Sequence, residues 1–329
     1  MLPVFPAVLV YLLSGALMAG GSFKKIAIGL PVDPARYKYM FDGSIVGQEM
    51  NARYFVLTSL VVLIVASAAA TATALWIFYQ NFEPLRKDQA RNTAALKCIA
   101  AASSLALVVA LAWVWLGHAP QFHMYVGKDV FPTLVPLYFN GREGFAFDQT
   151  FIIQTLPRIA STLSLIPGVC IVVCGCTFLI RYCQAVGKAR PSYEEVKSYG
   201  LERLARLRIL LSVSSALFVA AVLYSKAYLA WPLAVMHKDF IAQYSSAVEG
   251  FTAFEGVRFA LVLFSLLACM YLAVRWSAMR LTDKASMDKL LAEPGLTFNI
   301  PQIMQSTVTV IAPLLVGPVA DALKNVTLA

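Results

Sequence analysis

Apolar positions run in long blocks along this chain, near Val4–Ala19, Phe55–Phe78, Ile99–Leu116, Ile159–Ile180, Ile209–Trp231 and Phe259–Val274. A bilayer-crossing helix needs about 20 such residues, so the pattern predicts six transmembrane helices. The last block is short, but Arg258 and Arg275 bracket it and can snorkel to the two interfaces. A seventh apolar stretch begins at Ile303 and carries Pro313, Gly317 and Pro318 in its second half. Backbone groups freed by such residues need partners from protein or water. That stretch therefore fits a re-entrant or interfacial segment as well as it fits a seventh span.

The polar stretches between the blocks carry a repeat. "EGFAFD" at Glu143–Asp148 returns as "EGFTAFE" at Glu249–Glu255, and each phrase precedes an arginine, Arg158 or Arg258, that opens the next apolar block. Upstream, "SSLALVVAL" from Ser103 resembles "SSALFVAAVL" from Ser214, Pro120 answers Pro232, and "KDVF" at Lys128 answers "KDF" at Lys238. A decayed third copy reads "YMFDGS" then "QEMNAR", ending on Arg53. The expected architecture is all-α and polytopic, with six helices arranged as three pseudo-repeated hairpins. Residues 1–93, 94–203 and 204–290 form the hairpins, and 291–329 form a C-terminal apolar segment of the same membrane domain.

Lys and Arg orient the expected hairpins. Seven lie in the Arg181–Arg208 connection, whereas the Lys128–Arg158 and Lys226–Arg258 connections hold three each. The first should face the cytoplasm and the other two should face outward. The Lys24–Arg53 connection departs from this bias, with five basic residues on the expected outer side. The N-terminal block lacks the basic leader of a secretory signal and reads as a retained first helix, with the N-terminus cytoplasmic. A plasma membrane or bacterial inner membrane is the simplest placement.

Composition agrees with this pattern. Hydrophobic residues make up 59% of the 329 residues and charged residues 14%, far from the balance of soluble domains. The net charge of +9 is accounted for by loops facing lipid headgroups, and nucleic acid is not expected as a partner.

Candidate chemistry is sparse. Phe145, Phe147, Phe251 and Phe254 are spaced to lay rings at headgroup level, with Glu143, Asp148, Glu249 and Glu255 turned toward water. With Arg53, Arg158 and Arg258 they form either interfacial anchors or the rim of an outer vestibule. Inside the spans only Lys226 is ionisable, close enough to the outer end to snorkel. Coupled transport through a buried carboxylate is therefore not expected.

His118, His123 and His237 lack a zinc-type helical spacing and are weak metal candidates. Cys170, Cys174, Cys176 and Cys183 cluster without the C-x-x-C redox spacing and read as packing residues. No cofactor is expected, and no phosphate-binding loop or nucleophile elbow is present. The small-residue stretch "ASAAATATA" from Ala66 suits close helix packing. The expected function is an oligomeric channel or facilitator, with membrane lipids and further copies of the chain as partners. The alternative is a non-catalytic scaffold or assembly subunit of a membrane complex.

Overall fold

The computed structural model describes residues 43–88, 90–116, 151–179, 192–236, 238–281 and 311–312. They form helices throughout: α1 (Gly43–Asp88), α2 (Ala90–Trp115), a π turn (Phe151–Thr155) leading into α3 (Leu156–Leu179), α4 (Tyr193–Ala230), a 3₁₀ turn (Trp231–Val235) and α5 (Lys238–Leu281). Four helical stretches are long and apolar enough to cross a membrane: Gly47–Phe82, Phe151–Phe178, Tyr193–Val235 and Ile241–Met279. Ala100–Trp115 is a shorter apolar helix. The described residues are thus almost entirely helical, with four helices whose length and composition are compatible with a membrane-embedded protein. The expected first span and the segment after Ile303 lie outside the described residues, apart from a helical fragment at 311–312.

Helix α4 is the centre of the bundle. More than half of its apolar stretch, 56%, is buried, against 28% for those of α1 and α3. It packs on α1 and α5, while α3 packs on α1 and α2 lies against α3. Leu63, Ala70, Ile77, Cys174, Phe178, Leu207, Leu217, Tyr224 and Leu263 fill the interior. Val61, Val65, Leu75 and Trp76 of α1, and Leu105, Val108 and Val109 of α2, point outward. Large apolar side chains on both surfaces of a helix suit a bundle whose solvent is lipid.

The small-residue stretch of α1 acts by packing. Ser67, Ala70 and Ala74 are buried, and Ser67 Oγ donates to the Leu163 carbonyl of α3 at 2.6 Å. Small side chains let the two backbones approach closely enough for this bond to form. Close approach recurs between α3 and α5, where the Met270 methyl occupies the space a Cβ at Gly175 would need.

The helices run well beyond the expected spans. Helix α5 has 44 residues, about 66 Å of helix, and contains both Glu249–Glu255 and Arg258 in its interior. The sequence reading placed these residues in an outward loop. No proline interrupts Lys238–Leu281, and the acid and the arginine within it pair with each other, so the helix continues through them. The real break falls at Trp231–Val235, where Pro232 sits in the 3₁₀ turn.

The polar segment that follows Pro191 is helical from Tyr193. Ser192 caps α4 in a reciprocal capping box with Glu195. Glu202 and Arg206 form the ion pair their four-residue spacing implies.

Candidate functional site

Two polar belts mark the ends of the apolar bundle. At one end the Glu49 carboxylate, only 1% exposed, accepts from Arg53 Nε at 3.1 Å and Nη2 at 2.7 Å. It also accepts from Trp231 Nε1 at 3.0 Å. A small hollow beside this cluster is lined by Arg53, Val56, Leu57, Ile152, Leu156 and Trp231. Nearby, Tyr228 OH donates to the Ile152 carbonyl at 3.1 Å. A π turn moves a carbonyl's backbone donor from four to five residues ahead. For Ile152 that position is Pro157, which has no N–H. Tyr228 therefore supplies the bond that the backbone lacks.

At the opposite end, Asn81 Nδ2 donates to Thr177 Oγ1 at 2.8 Å, joining α1 to α3. Arg203, 4% exposed, donates to the Thr177 and Phe178 carbonyls at 3.0 and 3.5 Å. These carbonyls belong to the last described turn of α3, and a charged donor makes the stronger hydrogen bond to them. Arg206 reaches Asn81 Oδ1 at 2.9 Å and Gln80 Oε1 at 3.0 Å. Arg53 and Asn81 are about 42 Å apart along α1, as are Arg203 and Trp231 along α4, at roughly 1.5 Å per residue. A bilayer with its headgroup regions is about 40–45 Å thick. The belts have the spacing of its two interfaces.

Between them lies a buried ion pair. Arg258 Nη2 stands 2.6 Å from Glu255 Oε2, with side chains 13% and 2% exposed. The guanidinium carbon lies 4.9 Å from the centre of the Phe259 ring, and that ring stacks on Phe218 of α4 with centroids 4.5 Å apart. Phe218 is about 20 Å from Trp231 and about 22 Å from Arg203 along α4. The pair therefore sits near mid-depth. Charges there are costly unless paired and turned toward protein. This overturns the expectation that the spans carry no buried carboxylate.

The expected vestibule residues fall in several places. Glu143, Asp148, Phe145, Phe147, His118, His123 and His237 lie outside the described residues. On α5, Phe251 and Glu255 are buried, Phe254 is half-buried, and Glu249 is exposed and accepts from Ser245 Oγ at 3.2 Å. Val248, Phe251, Thr252, Glu255 and Phe259 form one buried face at helical spacing.

Arg53, Arg158 and Arg258 are staggered. Ser67 on α1 is level with Leu163 on α3, which sets Arg158 about 13 Å deeper than Arg53. Gly175 on α3 meets Met270 on α5, which sets Arg258 deeper again by about 7 Å. Lys226 is 8% exposed on α4, about one and a half turns below Trp231.

The belt around Asn81 and Arg203 and the residue Glu49 were not singled out from sequence. An amide such as Asn81 directly after an apolar run, and an acid four residues before an arginine, are the signals that point to them. The cysteines behave as expected in part: Cys174 is fully buried and Cys170 and Cys176 are partly so, all as free thiols. Among the described residues no cluster of His, Cys, Asp and Glu is arranged to hold a metal ion. Comparison with known protein families, curated proteins and solved structures returns no match to this chain.

Proposed function

We propose that the chain is a membrane facilitator or channel that works as an oligomer and carries no catalytic centre. The observation that carries this reading is the Glu255–Arg258 pair, buried at mid-depth in a bundle sized to the bilayer. Ionisable groups in that position characteristically face pathways for ions or polar solutes. Three hairpins with six spans, repeated around such a site, give the framework. The connection bearing Glu143–Asp148 shapes its outer mouth. The Arg203 end faces the cytoplasm, in keeping with the basic residues gathered there, and the membrane is a plasma or bacterial inner membrane.

The test is flux across liposomes containing the purified full-length protein, measured for small cations, anions and neutral solutes. Transport above that of empty vesicles supports the proposal. Absence of flux from correctly folded protein, over all three solute classes, refutes it.

A scaffold or assembly subunit is the second reading, and one observation favours it. Tyr224, Tyr228, Phe178, Leu207 and Leu217 pack the interior solidly, and Ser67, Asn81 and Arg203 tie one helix to another. A stable membrane partner that co-purifies in mild detergent with a flux-silent protein would establish that reading.

A further inference from the structure

Each of α1, α3 and α5 carries one of the three repeated arginines, but their electrostatic surroundings differ. Arg53 follows Glu49 by four residues and pairs with it at 2.7 Å. Arg258 follows Glu255 by three and pairs with it at 2.6 Å. On α3 the corresponding positions before Arg158 hold Gln154 and Thr155, neither of which can carry the negative charge. Arg158 Nε is buried without a hydrogen-bond partner, as is Arg258 Nε; what sets Arg158 apart is that no ion pair to it is found among the described residues.

Gln154 in the π turn precedes Arg158 on α3 by four residues, as Arg158 precedes Thr162. Thr162 adjoins the end of α2, where Trp115 Nε1 donates to Thr162 Oγ1 at 3.1 Å, and Gln154 is exposed. Arg158 lies about 9 Å below Ile152 and about 13 Å below Arg53 of the Trp231 belt, a depth that a snorkelling arginine and a headgroup drawn inward toward it span together.

We infer that Arg158 is an anion site, in which the guanidinium takes a phosphate-type group in place of the carboxylate that its two counterparts have within their own helices. The planar fork of arginine suits two phosphate oxygens at once. The exposed neighbour and the depth point to the phosphodiester of an anionic lipid, and inorganic phosphate shares the same chemistry. Arg158 lies on a different helix from the mid-depth pair, and the inference stands or falls independently of transport.

The experiment uses the full-length protein. Native mass spectrometry measures retained phosphatidylglycerol, and thermal shift in a neutral detergent measures binding of inorganic phosphate. Wild type is compared with Arg158→Gln, Arg158→Lys and Gln154→Glu, each checked for monodispersity. Gln154→Glu restores the carboxylate four residues before the arginine and tests the site without removing it.

Lipid retention should fall at least about tenfold in Arg158→Gln and in Gln154→Glu, and less in Arg158→Lys. Loss of phosphatidylglycerol alone identifies a headgroup site; parallel loss of the inorganic phosphate shift identifies a site open to free anions. Equal retention and equal shifts in wild type and Gln154→Glu would overturn the inference, as would absence of both signals in wild type.

Discussion

The Glu255 carboxylate and the Arg258 guanidinium meet at 2.6 Å, three residues apart on α5, with the acid almost completely buried. Removing one partner would leave the other as an uncompensated charge at mid-depth. Arg258→Ala should therefore destabilise the protein by about 3–5 kcal/mol, and replacing both residues by apolar ones of similar volume should cost much less. Chemical denaturation of the detergent-solubilised protein, run as a double-mutant cycle, checks this. A double-variant cost equal to the sum of the two single costs would show that the residues act independently.

Tyr228 closes a gap that Pro157 opens in α3. Tyr228→Phe keeps the ring in place but leaves the Ile152 carbonyl without its 3.1 Å donor, and should cost about 1–3 kcal/mol. Pro157→Ala restores a backbone N–H and should reduce that cost. The comparison of the two backgrounds by thermal unfolding is the readout, and an undiminished cost in the alanine background would dissociate the tyrosine from the π turn.

At the other belt, Arg203 holds the last described turn of α3 through the Thr177 and Phe178 carbonyls. Arg203→Ala should lower stability by about 1.5–3 kcal/mol, the range for hydrogen bonds to a charged group. Lysine should recover only part of it, because a single ammonium cannot reproduce the planar fork over both carbonyls. Full recovery by lysine would show that charge alone is sufficient there.

Helices α3 and α5 meet at Gly175 and Met270. Gly175→Ala should be nearly neutral, since the group in the way is the flexible end of a methionine. Gly175→Leu has nowhere to place its branch without separating the helices and should cost about 1–3 kcal/mol. Thermal stability of the two variants decides the point.

Much of this architecture is legible in the sequence because lipid imposes a simple rule on apolar length. Phe55–Phe78, Ile159–Ile180 and Ile209–Trp231 anticipate the cores of α1, α3 and α4. The ends of α5 were not legible by that rule. "SSAVEGFTAFEGVR" looks like a polar connection when residues are counted singly, yet Glu255 and Arg258 neutralise each other on one helical face. The cross-helix bonds from Asn81 to Thr177 and from Tyr228 to Ile152 depend on which helices become neighbours. Local pattern does not contain that information, and only the packed bundle supplies it.

The central claim is that the mid-depth pair serves a permeation path. Its most direct test is ion flux in liposomes for wild type, Glu255→Gln and the Glu255→Gln/Arg258→Gln double variant, each reconstituted at equal amounts and confirmed as folded. The account predicts measurable wild-type flux, with Glu255→Gln shifting selectivity toward anions because Arg258 loses its carboxylate, and the double variant losing that shift. Wild-type flux whose rate and selectivity are the same in all three proteins would contradict it.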